Sequence, residues 1–410
     1  MAGTEPGSAI GLAMAGGAAQ GAIYEIGALR ALDEAVEGVD FNQLGVYVGV
    51  SAGGFLASCL ANGLSTAQMC RAIVKPEPGE HPFVPEIFFQ PAAAELRRRL
   101  WQSPKIIADA LWQFASRRER RLIDSLTGLG RALPVALFAN EPIRNYVHTI
   151  FQRPDRTDDF RRLKGHLVVV ATDLESGEAI RFGEPGLDQV PISRAVQAST
   201  ALPGLYPPVE INGRYYVDGV LLKTMHASVA LERGAKLVFC VNPIVPVDVR
   251  RAIQRNEIRS GQLIDNGLPT VLSQTLRTLI HSRMNLGIRA YKKRYPDADV
   301  VLIEPRKDDV ESFFSNIFTF RSRQAMCERA YQTTRRTLWQ RRDEIGETLA
   351  KHGLRLREEM LEDFDRPLWP HVGLTSDDPS TNLATDTQEV VSELDRLIAR
   401  AQRLVAARQT

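Results

Sequence analysis

Val46-Tyr47-Val48-Gly49-Val50-Ser51-Ala52-Gly53-Gly54-Phe55-Leu56-Ala57 is the stretch on which the reading of this chain turns. Its first residues are β-formers, and the run from Phe55 to Leu60 carries no breaker and reads as a helix. Between them lies a G-x-S-x-G pattern, Gly49-Val50-Ser51-Ala52-Gly53. A serine on a sharp strand-to-helix turn takes a strained backbone, and Gly49 and Gly53 leave room for the two arms to cross. Such a turn lifts the Ser51 hydroxyl out of the sheet and sets it at the positive end of a helix dipole. The Ala52 N–H then faces any oxyanion formed there. Ser51 is the candidate nucleophile.

Upstream, Ile10 to Met14 reads as a strand, followed by Ala15-Gly16-Gly17-Ala18-Ala19-Gln20-Gly21 and a helix from about Gly21 to Glu37. Glycines at that place let backbone N–H groups converge on an anion. A dinucleotide fingerprint requires G-x-G-x-x-G, and Ala18 occupies its second glycine. An anion loop for a reacting ester fits better than a cofactor loop.

Downstream, Ser65-Thr66-Ala67-Gln68 is a capping box opening a helix that ends before Pro76. His166 to Ala171 and Lys236 to Val241 are buried-strand runs, with shorter strands at Ala179 to Phe182 and Tyr215 to Val217. Strands alternating with helices from residue 9 to about 245 imply an α/β layered domain. Residues 76 to 163 interrupt it with proline-rich loops and a basic amphipathic tract, Arg97 to Arg99 and Arg117 to Arg121 around Trp101 and Trp112. This reads as a helical insertion, either interfacial or packed on the core.

Beyond 245 a helical extension is expected to residue 370, with one added strand at Val300 to Ile303. A long helix from Thr270 carries Leu272, Leu276, Leu279 and Ile280 on one face, and a charged helix covers about 322 to 351. Phe313, Phe314, Ile317 and Phe318 either line an acyl cavity or fill core. Residues 371 to 389 read as a linker. Val390, Leu394, Leu397, Ala401 and Leu404 mark a last helix over 390 to 410, through which the chain docks or self-associates.

The 51 Lys+Arg against 49 Asp+Glu leave a net charge of +2, too balanced for an electrostatic nucleic-acid binder. Four cysteines without a C-x-x-C pair exclude a zinc knuckle or a disulfide framework and fit a reducing compartment. Met1 to Ile10 lacks the basic residues of a secretion signal, and no run of about 18 apolar residues marks a transmembrane helix. The expectation is a cytoplasmic protein, peripheral to membranes, with no metal and no cofactor.

A serine nucleophile needs a base. None of the seven histidines stands in an obvious catalytic context, although His226 lies eight residues after Asp218. Asp218, in Tyr215-Tyr216-Val217-Asp218-Gly219, is the better candidate, because desolvation at a strand end raises a carboxyl toward a useful basicity.

The combined pattern resembles the patatin-like phospholipases. It is carried by the glycine loop, the serine turn, the hairpin Thr172 to Glu178, the run Arg194 to Pro208, and Asn212 to Gly219. The resemblance covers residues 9 to 245 and implies a three-layer α/β/α fold with a mostly parallel sheet. It also implies metal-independent hydrolysis of lipid acyl esters by a Ser–Asp dyad, without a cofactor. In this sequence it gives Ser51 as nucleophile and Asp218 as base, and it places oxyanion N–H groups at Gly16, Gly17 and Ala18, with Gly49, Gly53 and Gly219 as supports. Ala18 in place of a third glycine, Gln20 in place of a cation, and Lys223 to His226 after the Asp-Gly pair depart from the pattern. Two other readings are an inactive membrane-associated scaffold and a histidine-dependent hydrolase of small esters or thioesters.

Overall fold

Alternate residues of the central strands enter two different cores, which is why those strands read as unbroken apolar runs. Leu12 and Met14, Tyr47, Leu167 and Val169, and Leu237, Phe239 and Val241 face one side. Ala13 and Ala15, Val46, Val48 and Val50, Val168 and Val170, and Val238 and Cys240 face the other. Both faces are covered by helices, giving a three-layer α/β/α arrangement. The computed structural model describes residues 9–74, 85–92, 135–223, 225–256, 258–310 and 320–374. The basic tract around Trp101 and Trp112, the Phe313 to Phe318 cluster, and the expected C-terminal helix lie outside them.

In chain order the strands are β1 Ile10–Met14, β2 Val36–Glu37, β3 Val46–Val50, β4 His166–Asp173, β5 Ala179–Phe182, β6 Val209–Ile211, β7 Arg214–Asp218, β8 Leu237–Val241, β9 Asp299–Ile303 and β10 Arg355–Leu356. The longer helices are α1 Ala18–Ala35, α2 Ala52–Ala61, α3 Thr66–Val74, α4 Glu141–Phe151, α5 Ile192–Ser199, α6 Ala227–Glu232, α7 Leu268–Arg294, α8 Phe320–Gln340 and α9 Arg342–Ala350. The sheet runs β6-β7-β4-β3-β1-β8-β9, with β5 also paired to β4. Its middle, from β4 to β9, is parallel, and β5, β6 and β7 add antiparallel pairings at one end.

Several elements differ from the sequence reading for identifiable reasons. Helix α1 begins at Ala18 rather than Gly21, since the positive-φ turn is complete at Ala18 and Ala19 after it is a good helix former. It stops at Ala35 because β-branched Val36 pairs with Leu356 in a two-stranded ribbon. Helix α4, inside the stretch read as an insertion, belongs to the core and buries Ile143, Tyr146, Val147, Ile150 and Phe151. The charged helix of about 322 to 351 is two helices, α8 and α9, that break at Arg341. On α7, Ile280 and Met284 enter the second core with Leu276 beside them, whereas Leu272 and Leu279 face solvent. The capping box is formed as drawn: Ser65 N–H donates to Gln68 Oε1 at 2.9 Å, and Gln68 N–H donates to Ser65 Oγ at 3.2 Å.

Helices α1 and α8 cross at Gly27, where a Cβ would stand 2.4 Å from the Cys327 carbonyl oxygen and 2.9 Å from Ala330 Cβ. The crossing is fastened further along, where the Tyr331 hydroxyl donates to Glu34 Oε2 at 2.6 Å and Arg366 Nε reaches the same oxygen at 3.3 Å. A methyl at position 27 meets backbone, which cannot rotate away, so the two helices must part. Gly27→Ala is therefore expected to cost about 1–3 kcal/mol, read as a melting temperature several degrees below wild type by calorimetry. An unchanged melting temperature would show that the crossing yields without loss.

Candidate active site

The register of β4 brings the serine turn and the aspartate together. At Val169 and Val170, β4 has β3 on one side and β5 on the other. At Ala171 and Thr172, β5 stays in place and β7 replaces β3. Strands β3 and β7 thus share one edge of β4 and meet end to end. Val50, paired with Val170, leads into Ser51, and Asp218, paired with Ala171, ends β7. Residues 167 positions apart in sequence become neighbours through a single strand register.

At the turn, Ser51 has φ 53° and ψ −125°, a backbone that side chains other than glycine rarely adopt. Strain of this kind costs on the order of 1–3 kcal/mol and persists only where surrounding contacts enforce it. The main contact comes from Ser199 at the end of α5. Its Oγ accepts from Ser51 N–H at 2.7 Å and donates to the Val170 carbonyl at 2.6 Å. The hydroxyl thus ties the turn to the strand beside it. The arms of the turn cross closely: a Cβ on Gly49 would lie 2.5 Å from the Gly53 carbonyl oxygen, and one on Gly53 would lie 2.4 Å from that of Ala15. Gly53 N–H donates to that Ala15 carbonyl at 3.1 Å, whereas Ala52 N–H, in the first turn of α2, has no intrahelical acceptor.

The glycine loop lies against the serine. A Cβ on Gly16 would stand 3.0 Å from Ser51 Cβ and 3.5 Å from Val220. Ala18, expected to resist positive φ, adopts φ 51° all the same and is exposed. Left-handed backbone at an alanine costs roughly 1–2 kcal/mol. Gly17 N-caps α1 without a side-chain acceptor, and the N–H groups of Ala18 and Ala19 in the first turn precede the first intrahelical acceptor. Of the loop residues, Gly16 is the one that packs directly on Ser51, and Ala52 follows the serine in the first turn of α2.

Asp218 is buried and within hydrogen-bonding reach of the Ser51 side chain. Burial pushes its carboxyl up to about 7, against the opposing pull of hydrogen bonds from Val220 N–H and from Ser51. The Val220 bond measures 2.9 Å to Oδ1 and fixes the carboxylate on its own turn. Gly219 follows with its α-carbon against Val170, where a Cβ would lie 2.5 Å from the carbonyl oxygen. Asp218 N–H donates to Ala201 at 3.0 Å, and Thr172 Oγ1 donates to the Asp218 carbonyl at 3.2 Å.

His226 is brought into neither group. It is buried, its Nε2 has no partner, and burial, then Lys223 and Arg181, push it down to about 3, so the ring is neutral. Other described histidines face carboxylates elsewhere: His148 faces Asp158, His281 faces Glu304, and His352 faces Asp299. Val220, beside the loop, also lines a cavity of about 300 Å³ with Leu222, Met225, Ile280, Met284 and Ile288. Ser199 escaped the sequence reading although it stands inside Arg194 to Pro208, because a hydroxyl that braces a distant turn has no local signature.

Ser199→Ala strips the acceptor from Ser51 N–H and the donor from Val170. It is expected to lower stability by about 1–3 kcal/mol and to reduce kcat more than KM in any ester assay. Equal kcat in wild type and variant would show that the turn holds without it.

The family model "Patatin-like phospholipase" matches residues 12–231. Among solved structures, VipD from Legionella pneumophila is similar at 16% identity and a TM-score of 0.36, over 82% of this chain and 67% of that one. The type III effector ExoU, from Pseudomonas aeruginosa, is similar at 16% identity and a TM-score of 0.33, over 97% and 66%. Human GIVD cytosolic phospholipase A2 follows at 10% identity and a TM-score of 0.23, over 62% and 43%. The chain spans about two thirds of the length of the two effectors and less than half of the human protein's. With the family model matching more than half of its residues, this chain belongs to the patatin-like phospholipase family.

Proposed function

We propose that this protein hydrolyses acyl esters of lipids through a Ser51–Asp218 dyad and a covalent acyl-enzyme, without a metal ion. One observation carries the reading: a buried carboxyl lies within reach of a serine on a strained turn, against which the glycine loop packs at Gly16. Ser51 Oγ attacks the ester carbonyl carbon while Asp218 accepts its proton. Charge on the carbonyl oxygen is met by N–H groups of Gly16, Gly17, Ala18 and Ala52. The C–O bond to the alcohol then breaks, and the alcohol leaves with the proton from Asp218. Water attacks the acyl-enzyme, gives its proton to Asp218, and the acid departs as the serine is restored. The cavity beside Val220, lined by Leu222, Met225, Ile280, Met284 and Ile288 and also by Lys223, Glu232, Arg283 and Arg294, offers room for hydrocarbon beside charged groups.

A carboxyl with a pKa near 7 is half ionised at neutral pH, so it serves as base without a histidine relay. The expected kcat/KM rises with pH through a midpoint near 7 with unit slope. Ser51→Ala and Asp218→Asn each lower kcat by at least about 10³-fold, while His226→Ala keeps both rate and profile. A fluorophosphonate probe labels wild type and not Ser51→Ala. Loss of activity in His226→Ala with Asp218→Asn tolerated would transfer the base to the imidazole.

The same burial fixes the pH dependence of stability. In the unfolded chain this carboxyl titrates near 3.8, and in the folded chain near 7. Between those values the native state holds the proton that the unfolded state has lost, so its contribution is full below the lower value and is lost as pH rises through the upper one. Asp218→Asn, which cannot ionise, is expected to gain in melting temperature relative to wild type as pH is raised from about 5 to 8. A difference that stays constant over that range would place the carboxyl in contact with solvent.

A further inference from the structure

The outer face of α7 is unpartnered among the described residues, and its chemistry is one-sided. Leu268, Leu272, Leu279 and Leu286 are 69%, 57%, 58% and 65% exposed, and Ile264, on the short helix before it, is 73% exposed. Leu272, Leu279 and Leu286 recur every seven residues, which drifts only about 20° per step around a helix. The leucines therefore form one line, which from Leu268 to Leu286 is about 27 Å long at 1.5 Å per residue. Thr275 and Thr278 donate back to the Val271 and Gln274 carbonyls, both at 2.8 Å, so their hydroxyls leave no open donor on this surface.

Charge on the helix has one sign. Residues 268–294 contain Arg277, Arg283, Arg289, Lys292, Lys293 and Arg294 and no aspartate or glutamate, in a chain whose net charge is only +2. All but Arg277 are exposed, and four of them crowd the C-terminal end. A second copy of the chain is a poor occupant. Pairing along the leucine line would place Thr275, Ser282 and Arg289 at the alternate seam positions and bury polar groups there. A surface with a hydrocarbon interior and negative headgroups meets both features at once.

We propose that the outer face of α7 docks on an anionic lipid surface, with its leucines at the acyl boundary and its arginines and lysines among the headgroups. The helix is joined to the active site: Arg283 Nη1 donates to the Leu221 carbonyl at 3.2 Å, three residues after Asp218, and the inner face of α7 lines the cavity beside Val220. Docking there sets the Asp218 turn beside the membrane. The inference extends the reading of the chain as a lipid hydrolase but stands on this helix, not on the dyad.

The test is co-sedimentation of the full chain with vesicles of phosphatidylcholine alone and of equimolar phosphatidylcholine and phosphatidylserine. Wild type and Ser51→Ala are expected to pellet with the anionic vesicles, and added salt releases them. Leu272→Glu with Leu279→Glu, or Arg289→Glu with Lys293→Glu, weakens binding about tenfold or more, with melting temperature unchanged. Hydrolysis of a monomeric water-soluble ester stays at wild-type level in the leucine variant and disappears in Ser51→Ala, so failure of docking and failure of the dyad give different results. Wild-type binding by both double variants overturns the proposal. So does a wild-type dimer that the leucine variant converts to monomer with vesicle binding intact, since the face would then belong to a second copy.

Discussion

The arrangement rests on the register of one strand. Because Val170 pairs with Val50 and Ala171 pairs with Asp218, two strands of opposite direction end against each other on the same side of β4. No local preference of either segment produces that meeting. It depends on β5 holding the other side of β4, so that β3 and β7 must succeed one another on a shared edge. A slip by a single residue would turn Asp218 to the opposite face of the sheet.

Having met, the two residues are kept in costly states by neighbours that serve the same purpose. Ser51 is strained in its backbone and Asp218 is buried as an acid. Ser199 and the Val220 N–H compensate each locally, one bracing a peptide and the other a carboxylate. Ala18 adds a third such cost in the facing loop. Native proteins concentrate unfavourable conformations where chemistry needs them, and here three lie within one small region.

The serine turn, the capping box and the buried strands were legible because each is set by residues adjacent in sequence. Asp218 was legible through its strand end and the glycine after it. Ser199 was not, because its partners are a peptide N–H and a carbonyl contributed by distant strands. Helix α7 shows the limit of periodicity. Leu272 and Leu279, Leu276 and Ile280 span an arc of about 100° at 100° per residue, and nothing in that arc says which margin meets the core. The core took Leu276 and Ile280, and Leu272 and Leu279 were left to solvent. The bounds of α4 were hidden for a related reason, since its polar residues share one face and sit amid proline-rich loops.

The crossing of α1 with α8 has a consequence for how this enzyme class is handled as separable parts. The helix that leaves the glycine loop is covered by residues far beyond the matched family segment, and the edge of β1 is closed by β8 and then β9, which also lie beyond it. Excising the segment that defines the family would leave an open strand edge and a bare helix flank, both invitations to aggregate. The boundary of ancestry and the boundary of folding do not coincide in this chain, and a minimal soluble fragment has to be cut to the second of them.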